Sequence, residues 1–253
     1  PFFMKTNYWI EFLTLFIYNK VFFNFLLFII SFYTSYSQQT EKVDFINVKA
    51  TVQPIFTEKK VKATASYTFK ILKKCDSIYL DAANIYLLNT KNFNSQIKIV
   101  SKNKKIWLFA DFKENKTYKI SFSYEAIPKK ALYFFKNQIW TQGQGKYTSN
   151  WLPSINDMND KMEFNMSYII PSEKKIVANG VLKSVTKNEK FSTWEYKMTK
   201  PISSYLLAFA VGDFSKKIIK SSTNTLIELY YPTNDSLHFE PTYRFSKEIF
   251  NFL

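Results

Sequence analysis

From Val43 to about Tyr231 apolar and polar positions alternate with a period of two, the mark of strands that bury one face. The clearest stretch is Lys60 to Ile71, where Val61, Ala63, Ala65, Tyr67, Phe69 and Ile71 alternate with lysine, threonine and serine. The same pattern runs through Ile46, Val48, Ala50 and Val52, through Tyr118, Ile120, Phe122 and Tyr124, and through Met162, Phe164, Met166, Tyr168 and Ile170. Shorter pieces lie at Ser77 to Ala82, Gln96 to Val100 and Lys105 to Ala110. Polar turns such as Ser101-Lys102-Asn103-Lys104 and Glu114-Asn115-Lys116 separate them, and no long helical period intervenes. The pattern predicts an all-β body of antiparallel sheets, packed as a sandwich or saddle.

The two ends depart from this pattern. Val21 to Tyr33 is a mostly apolar run of 13 residues, preceded by Lys5 and Lys20 and followed by Ser35-Tyr36-Ser37. That order is the layout of a signal peptide, and cleavage is expected before Gln38. A spanning helix needs about 20 apolar residues, so an uncleaved membrane anchor requires the Trp9 to Tyr18 stretch as well. No cysteine follows the run to carry a lipid, and the expected destination is a periplasm or the medium. Pro1 cannot be an initiator; Met4 is the expected start, and the chain reads as a fragment of a longer frame. Near the other end, Pro241 suits a first helical turn, and Phe245, Ile249, Phe250 and Leu253 recur at helical spacing.

Composition narrows the chemistry. Among 253 residues there is one histidine (His238) and one cysteine (Cys75), so neither an intramolecular disulfide nor a two-histidine zinc site can be assembled from them. Cys75 reads as a small core hydrophobe. The four glycines form no phosphate-binding loop. The net charge of +15 comes from 34 lysines and a single arginine, Arg244, against 20 acids. Arginine is the residue suited to phosphate and guanine, and here lysines are scattered in ones and twos, as on solvated strand faces. A nucleic-acid partner is not expected.

One segment interrupts the alternation with polar, aromatic and glycine residues: Ile139 to Pro171, IWTQGQGKYTSNWLPSINDMNDKMEFNMSYIIP. Long irregular segments in compact domains are often functional. Thr141-Gln142-Gly143-Gln144, Trp151-Leu152-Pro153 and the acidic turn Asn156 to Asp160 leading through Lys161 into Phe164 resemble the T-Q-x-[EQ], aromatic-x-Pro and acidic-turn signatures of the aminopeptidase N family, the gluzincin zinc aminopeptidases. Ala178-Asn179-Gly180 is similar to that family's S-N-G turn. Pro201 to Phe214 (PISSYLLAFAVGDF) is similar to its P-x-[PS]-[ST]-Y-L strand, and Leu80-Asp81-Ala82-Ala83-Asn84-Ile85 resembles its L-D-A-x-x-[LI] strand. The resemblance covers roughly residues 43 to 232 in collinear order.

After the expected leader and signal peptide over residues 1–37, the resemblance implies an amino-terminal saddle-shaped β domain over 38–232 and the start of a truncated, helical catalytic domain over 233–253. It implies a zinc ion held by that missing domain, because H-E-x-x-H and G-x-M-E-N occur nowhere here. Gln144 is expected to bind the free amino group of a peptide substrate, its amide oxygen accepting an N–H bond, with Gln142 and Gly143 touching the first substrate residues. The expected partners are that peptide and the chain's own catalytic domain. Ser149 stands where the family often has arginine, and Met158 where it has proline. Asp157 and Asp160 are conceivable as a catalytic pair, but caps and Asx-turns are the preferred reading. His238 reads as a surface or interdomain residue. The alternative function is a secreted β-sandwich binding module without catalysis, using Tyr133, Trp140, Tyr147 and Trp151 as its surface if they are exposed.

Overall fold

The computed structural model describes residues 39–91, 96–198 and 200–253; the expected leader and signal peptide lie outside the described residues. Among the described residues no helix is long and apolar enough to cross a membrane.

The first strands are β1 (Val43–Ile55), β2 (Lys60–Ile71), β3 (Cys75–Asp81), β4 (Ile85–Lys91), β5 (Lys98–Lys102), β6 (Lys105–Phe112) and β7 (Thr117–Ala126). A short hairpin follows, β8 (Leu132–Phe135) and β9 (Gln138–Thr141). After the irregular segment come β10 (Glu163–Pro171), β11 (Lys175–Ala178), β12 (Val181–Lys187), β13 (Phe191–Lys197) and β14 (Phe209–Gly212). The last hairpin is β15 (Phe214–Lys220) and β16 (Leu226–Pro232).

Strands β12-β13-β10-β1-β2-β7-β4 form a seven-stranded sheet, β11-β14-β9-β8 a four-stranded one, β3-β6-β5 a three-stranded one, and β15-β16 a separate pair. The expected antiparallel pairing holds throughout with one exception: β1 and β10 run parallel, from Asn47 opposite Glu163 to Val52 opposite Tyr168. Parallel neighbours require a long crossover, and here the chain passes through the two smaller sheets before β10 returns beside β1.

Strand β2 buries every second residue from Val61 to Ile71, as its alternation predicts. Strand β1 differs at its start. Its register against β2 shifts between Phe45 and Asn47, a bulge that places Phe45 inward at 0% exposure and leaves Ile46 40% exposed. Ile46, expected on the buried face, is therefore outside it. Asn103 and Lys104, both with positive φ, make the two-residue turn between β5 and β6.

The inward faces of the three larger sheets share one core. Across it Phe69 of β2 meets Phe112 of β6 at 5.9 Å, and Tyr168 of β10 meets Phe209 of β14 at 4.8 Å. Cys75 is a free, partly exposed thiol packed against this core, and burial raises its pKa. Beyond β16 the chain forms a 3-10 turn, Thr233–His238, then α1 (Phe239–Tyr243) and α2 (Ser246–Phe252). Pro241 lies in the first turn of α1, where a missing N–H is tolerated.

Candidate functional site

The hairpin β8–β9 delivers the Thr141-Gln142-Gly143-Gln144 turn. Ala131, just before β8, has φ +67, and its carbonyl accepts the Gln142 N–H at 2.8 Å. The Thr141 hydroxyl accepts the Phe209 N–H at 2.8 Å and donates to the Phe209 carbonyl at 3.1 Å, fastening the turn to β14. At Gly143 a Cβ would stand 2.5 Å from the Tyr205 carbonyl oxygen and 2.6 Å from the Thr148 hydroxyl, so only glycine fits. Gly145 (φ +86) and Lys146 (φ +68) then reverse the chain, and the Tyr147 N–H donates to the Gly143 carbonyl at 3.1 Å.

The motifs recognised along the chain meet beneath this turn. Thr148 donates to the Ser204 carbonyl at 2.9 Å, and the Ser204 hydroxyl donates to the Ile155 carbonyl at 2.7 Å. The Ser203 hydroxyl donates to the Met158 carbonyl at 2.7 Å. Asp81 and Ser154 exchange backbone bonds of 2.8 and 3.0 Å, and the Asp81 carboxylate accepts the Asn156 N–H at 3.0 Å. Burial raises the Asp81 pKa; the Asn156 N–H, Lys105 and Lys146 oppose that rise. Tyr67 and Tyr124 donate from the core to the carbonyls of Pro153 and Trp151. Asp81, Ser203 and Ser204 thus bond the 154–158 stretch that follows Trp151-Leu152-Pro153, while core tyrosines hold the Trp151 and Pro153 carbonyls, and these groups act as scaffold.

The turn's apex is left to solvent. Gln142 and Gln144 are exposed while Gly143, Thr148, Ser149 and Asn150 are buried. The structure therefore brings Gln142, Gly143 and Gln144 together, with two amides facing outward and the glycine in the floor. Around them the Lys130 ammonium stands 4.4 Å above the Tyr147 ring. Two neutral amides at a fixed turn can accept N–H bonds from an ammonium; they supply no nucleophile or general base. Among the described residues no group of three or more His, Cys, Asp or Glu could hold a metal. With one histidine and one cysteine in the chain, the residues present do not fit a zinc ion.

Other sequence candidates fall into place. Ser149 accepts a bond from the Asn156 side chain at 3.1 Å, and the Met158 side chain is exposed while its carbonyl is used. The Asp157 carboxylate accepts the Asn159 N–H at 2.9 Å, an Asx-turn as preferred. Asp160 differs: it is 6% exposed, and one carboxyl oxygen has no hydrogen-bond partner. Burial pushes its pKa up to about 7, against a backbone N–H bond from Phe45 and with help from Asp44 and Asp157. Only its polarity was legible in sequence; no local pattern signals its burial.

His238 pairs with Asp235 on the surface, and that contact raises its pKa. Tyr133 and Trp140 stack at 4.5 Å across the β8–β9 hairpin and are 37% and 39% exposed, as is Tyr147 at 39%. Trp151 is fully buried against Phe209, which removes it from the aromatic surface considered for a binding module.

Comparison with known proteins agrees with this arrangement. The family model of the peptidase M1 N-terminal domain matches residues 36–206. A probable aminopeptidase 1 from Sulfurisphaera tokodaii is 26% identical over 155 residues, which are 58% of this chain and 20% of the relative. An M1 zinc metallopeptidase from Deinococcus radiodurans superposes with a TM-score of 0.69 at 14% identity, covering 76% of this chain and 48% of that one. A variant of that enzyme was solved with a Tyr-Ser-Ala substrate. The chain thus spans about one-fifth of the curated relative and about half of the solved structure. With more than half of its residues matched by one family model, the chain belongs to the peptidase M1 family and carries its N-terminal domain.

Proposed function

We propose that this domain is the substrate-anchoring front of an exported zinc aminopeptidase that removes amino-terminal residues from peptides. The supporting observation is the Gln142–Gln144 turn: two exposed amides on a turn fastened through Thr141 to Phe209 and packed through Gly143 on the Tyr205 carbonyl and the Thr148 hydroxyl. In this reading Gln144 accepts an N–H bond from the substrate's free ammonium, and Gln142 and Gly143 line its first residues. A neutral amide gives a weaker bond than a carboxylate, so Gln144 contributes orientation that restricts attack to the first peptide bond. The zinc and the groups that act with it belong, in this reading, to a following catalytic domain.

Docking of that domain is supported by the apolar side chains that the last elements leave uncovered. Phe245 is 57% exposed, Ile249 58% and Phe252 90%. A stacked, half-exposed Tyr133–Trp140 pair beside the turn suits the same contact.

The experiment compares purified residues 38–253 with the longer protein on an aminoacyl reporter. The fragment is expected to hydrolyse nothing with or without zinc, and the longer protein to hydrolyse the reporter in a zinc-dependent way. Zinc-dependent hydrolysis by the fragment, or an inert longer protein with zinc bound, contradicts the reading.

A further inference from the structure

Asp160 lies in the strap of residues 151–162, which runs from the Thr148–Asn150 turn to β10. The strap is held by the Ser203 and Ser204 hydroxyls on the Met158 and Ile155 carbonyls, by two 3.1 Å backbone bonds between Met162 and Ile202, by the Asp81–Ser154 pair, and nearer its start by the Tyr67 and Tyr124 hydroxyls on the Pro153 and Trp151 carbonyls. Residues 203–205 are also the floor of the Gln144 turn, because Thr148 bonds the Ser204 carbonyl and Gly143 packs on the Tyr205 carbonyl. Between strap and sheet sits the Asp160 carboxyl, 6% exposed, with one oxygen buried and unpartnered. It accepts a backbone N–H bond from Phe45, beside the β1 bulge, and feels the negative charges of Asp44 on β1 and Asp157 on the strap itself. Among the described residues no cation counts among the groups that shift it.

We propose that Asp160 is a proton-operated latch: protonated, it lets the strap close on β1 and on residues 202–204; ionised, it loosens both. A neutral carboxylic acid loses little by burial, whereas an ionised one beside two carboxylates and a single N–H is poorly stabilised. The raised pKa places the change near neutral pH. The consequence for Gln144 rests on the substrate-anchoring reading; the latch itself does not.

Hydrogen exchange read on peptides spanning 154–163 and 202–208, corrected for intrinsic rates, tests it in the chain described here. Between pH 6 and pH 8.5 protection is expected to fall at least about tenfold in both peptides, while β2 and β7 stay protected; Asp160→Asn keeps full protection at both pH values. Asp157→Asn preserves the Asx-turn oxygen, removes one negative neighbour that raises the Asp160 pKa, and is expected to leave the loosening in place but shift its midpoint to lower pH. Unchanged protection in the native chain, an Asp160→Asn variant that loosens like it, or an Asp157→Asn midpoint that stays put overturns the latch. These outcomes are independent of peptidase activity, so failure of the latch and failure of the substrate reading are distinguishable.

Discussion

Residues 43–212 and residues 214–253 have similar apolar content and opposite fates. In the first region alternating side chains from three sheets close on one core. In the second, Leu229 is the one buried apolar side chain among the described residues, and Ile218, Leu226, Phe245 and Ile249 are all about half exposed. The difference lies in topology. A two-stranded pair with two short helices has too few faces to enclose a core, whereas seven strands crossed by two smaller sheets enclose one. The β15–β16 pair and α1–α2 thus leave most of their apolar side chains uncovered among the described residues.

The comparison breaks most visibly at Trp151. Trp151→Ala removes a fully buried ring against Phe209 and is expected to cost about 3–5 kcal/mol, read as a lowered urea midpoint. If that cost is below about 1 kcal/mol, the motif floor is not part of the core. Next is Asp160→Asn. The folded carboxyl, at about 7, holds a proton that the unfolded chain releases near 4. Stability of the native chain therefore falls as pH rises through that window, and the variant should be more stable above pH 7 by on the order of 3 kcal/mol, with no difference at pH 4. Denaturant titrations at pH 4 and pH 8 measure both. Ser204→Ala, which strands the Ile155 carbonyl, is expected to cost about 1–2 kcal/mol. Smallest is Ile249→Ser in α2, within about 0.5 kcal/mol; a loss above about 2 kcal/mol would show that the last region has a core of its own.

Much of the first region was legible before any coordinates. Period-two alternation located β2, β7 and β10 and the faces they bury, because a half-buried strand writes its environment into every second residue. It misjudged Ile46, since a bulge shifts register by one residue and the apolar run Phe45-Ile46 fits either phase. It could not foresee the parallel β1–β10 pair, which depends on where the chain returns after the smaller sheets. The turn motifs were legible as a set, but their work was not. Asp81, Ser203 and Ser204 spend their polar atoms on one another's loops, and Trp151 went from candidate surface to core because aromatic residues beside polar ones read alike in either place. Gln142 and Gln144 were singled out by the family resemblance; the structure adds that both are exposed at a turn whose glycine is buried.

The most direct test of Gln144 as the amine anchor is kcat/KM of the longer protein on paired free-amine and N-acetylated peptides, for the native chain, Gln144→Ala and Gln144→Glu. Loss of one amide hydrogen bond to an ammonium is expected to lower the free-amine value about tenfold in the alanine variant, with glutamate restoring or exceeding the native value and the acetylated peptide indifferent to both. Equal free-amine values for all three proteins would contradict the account.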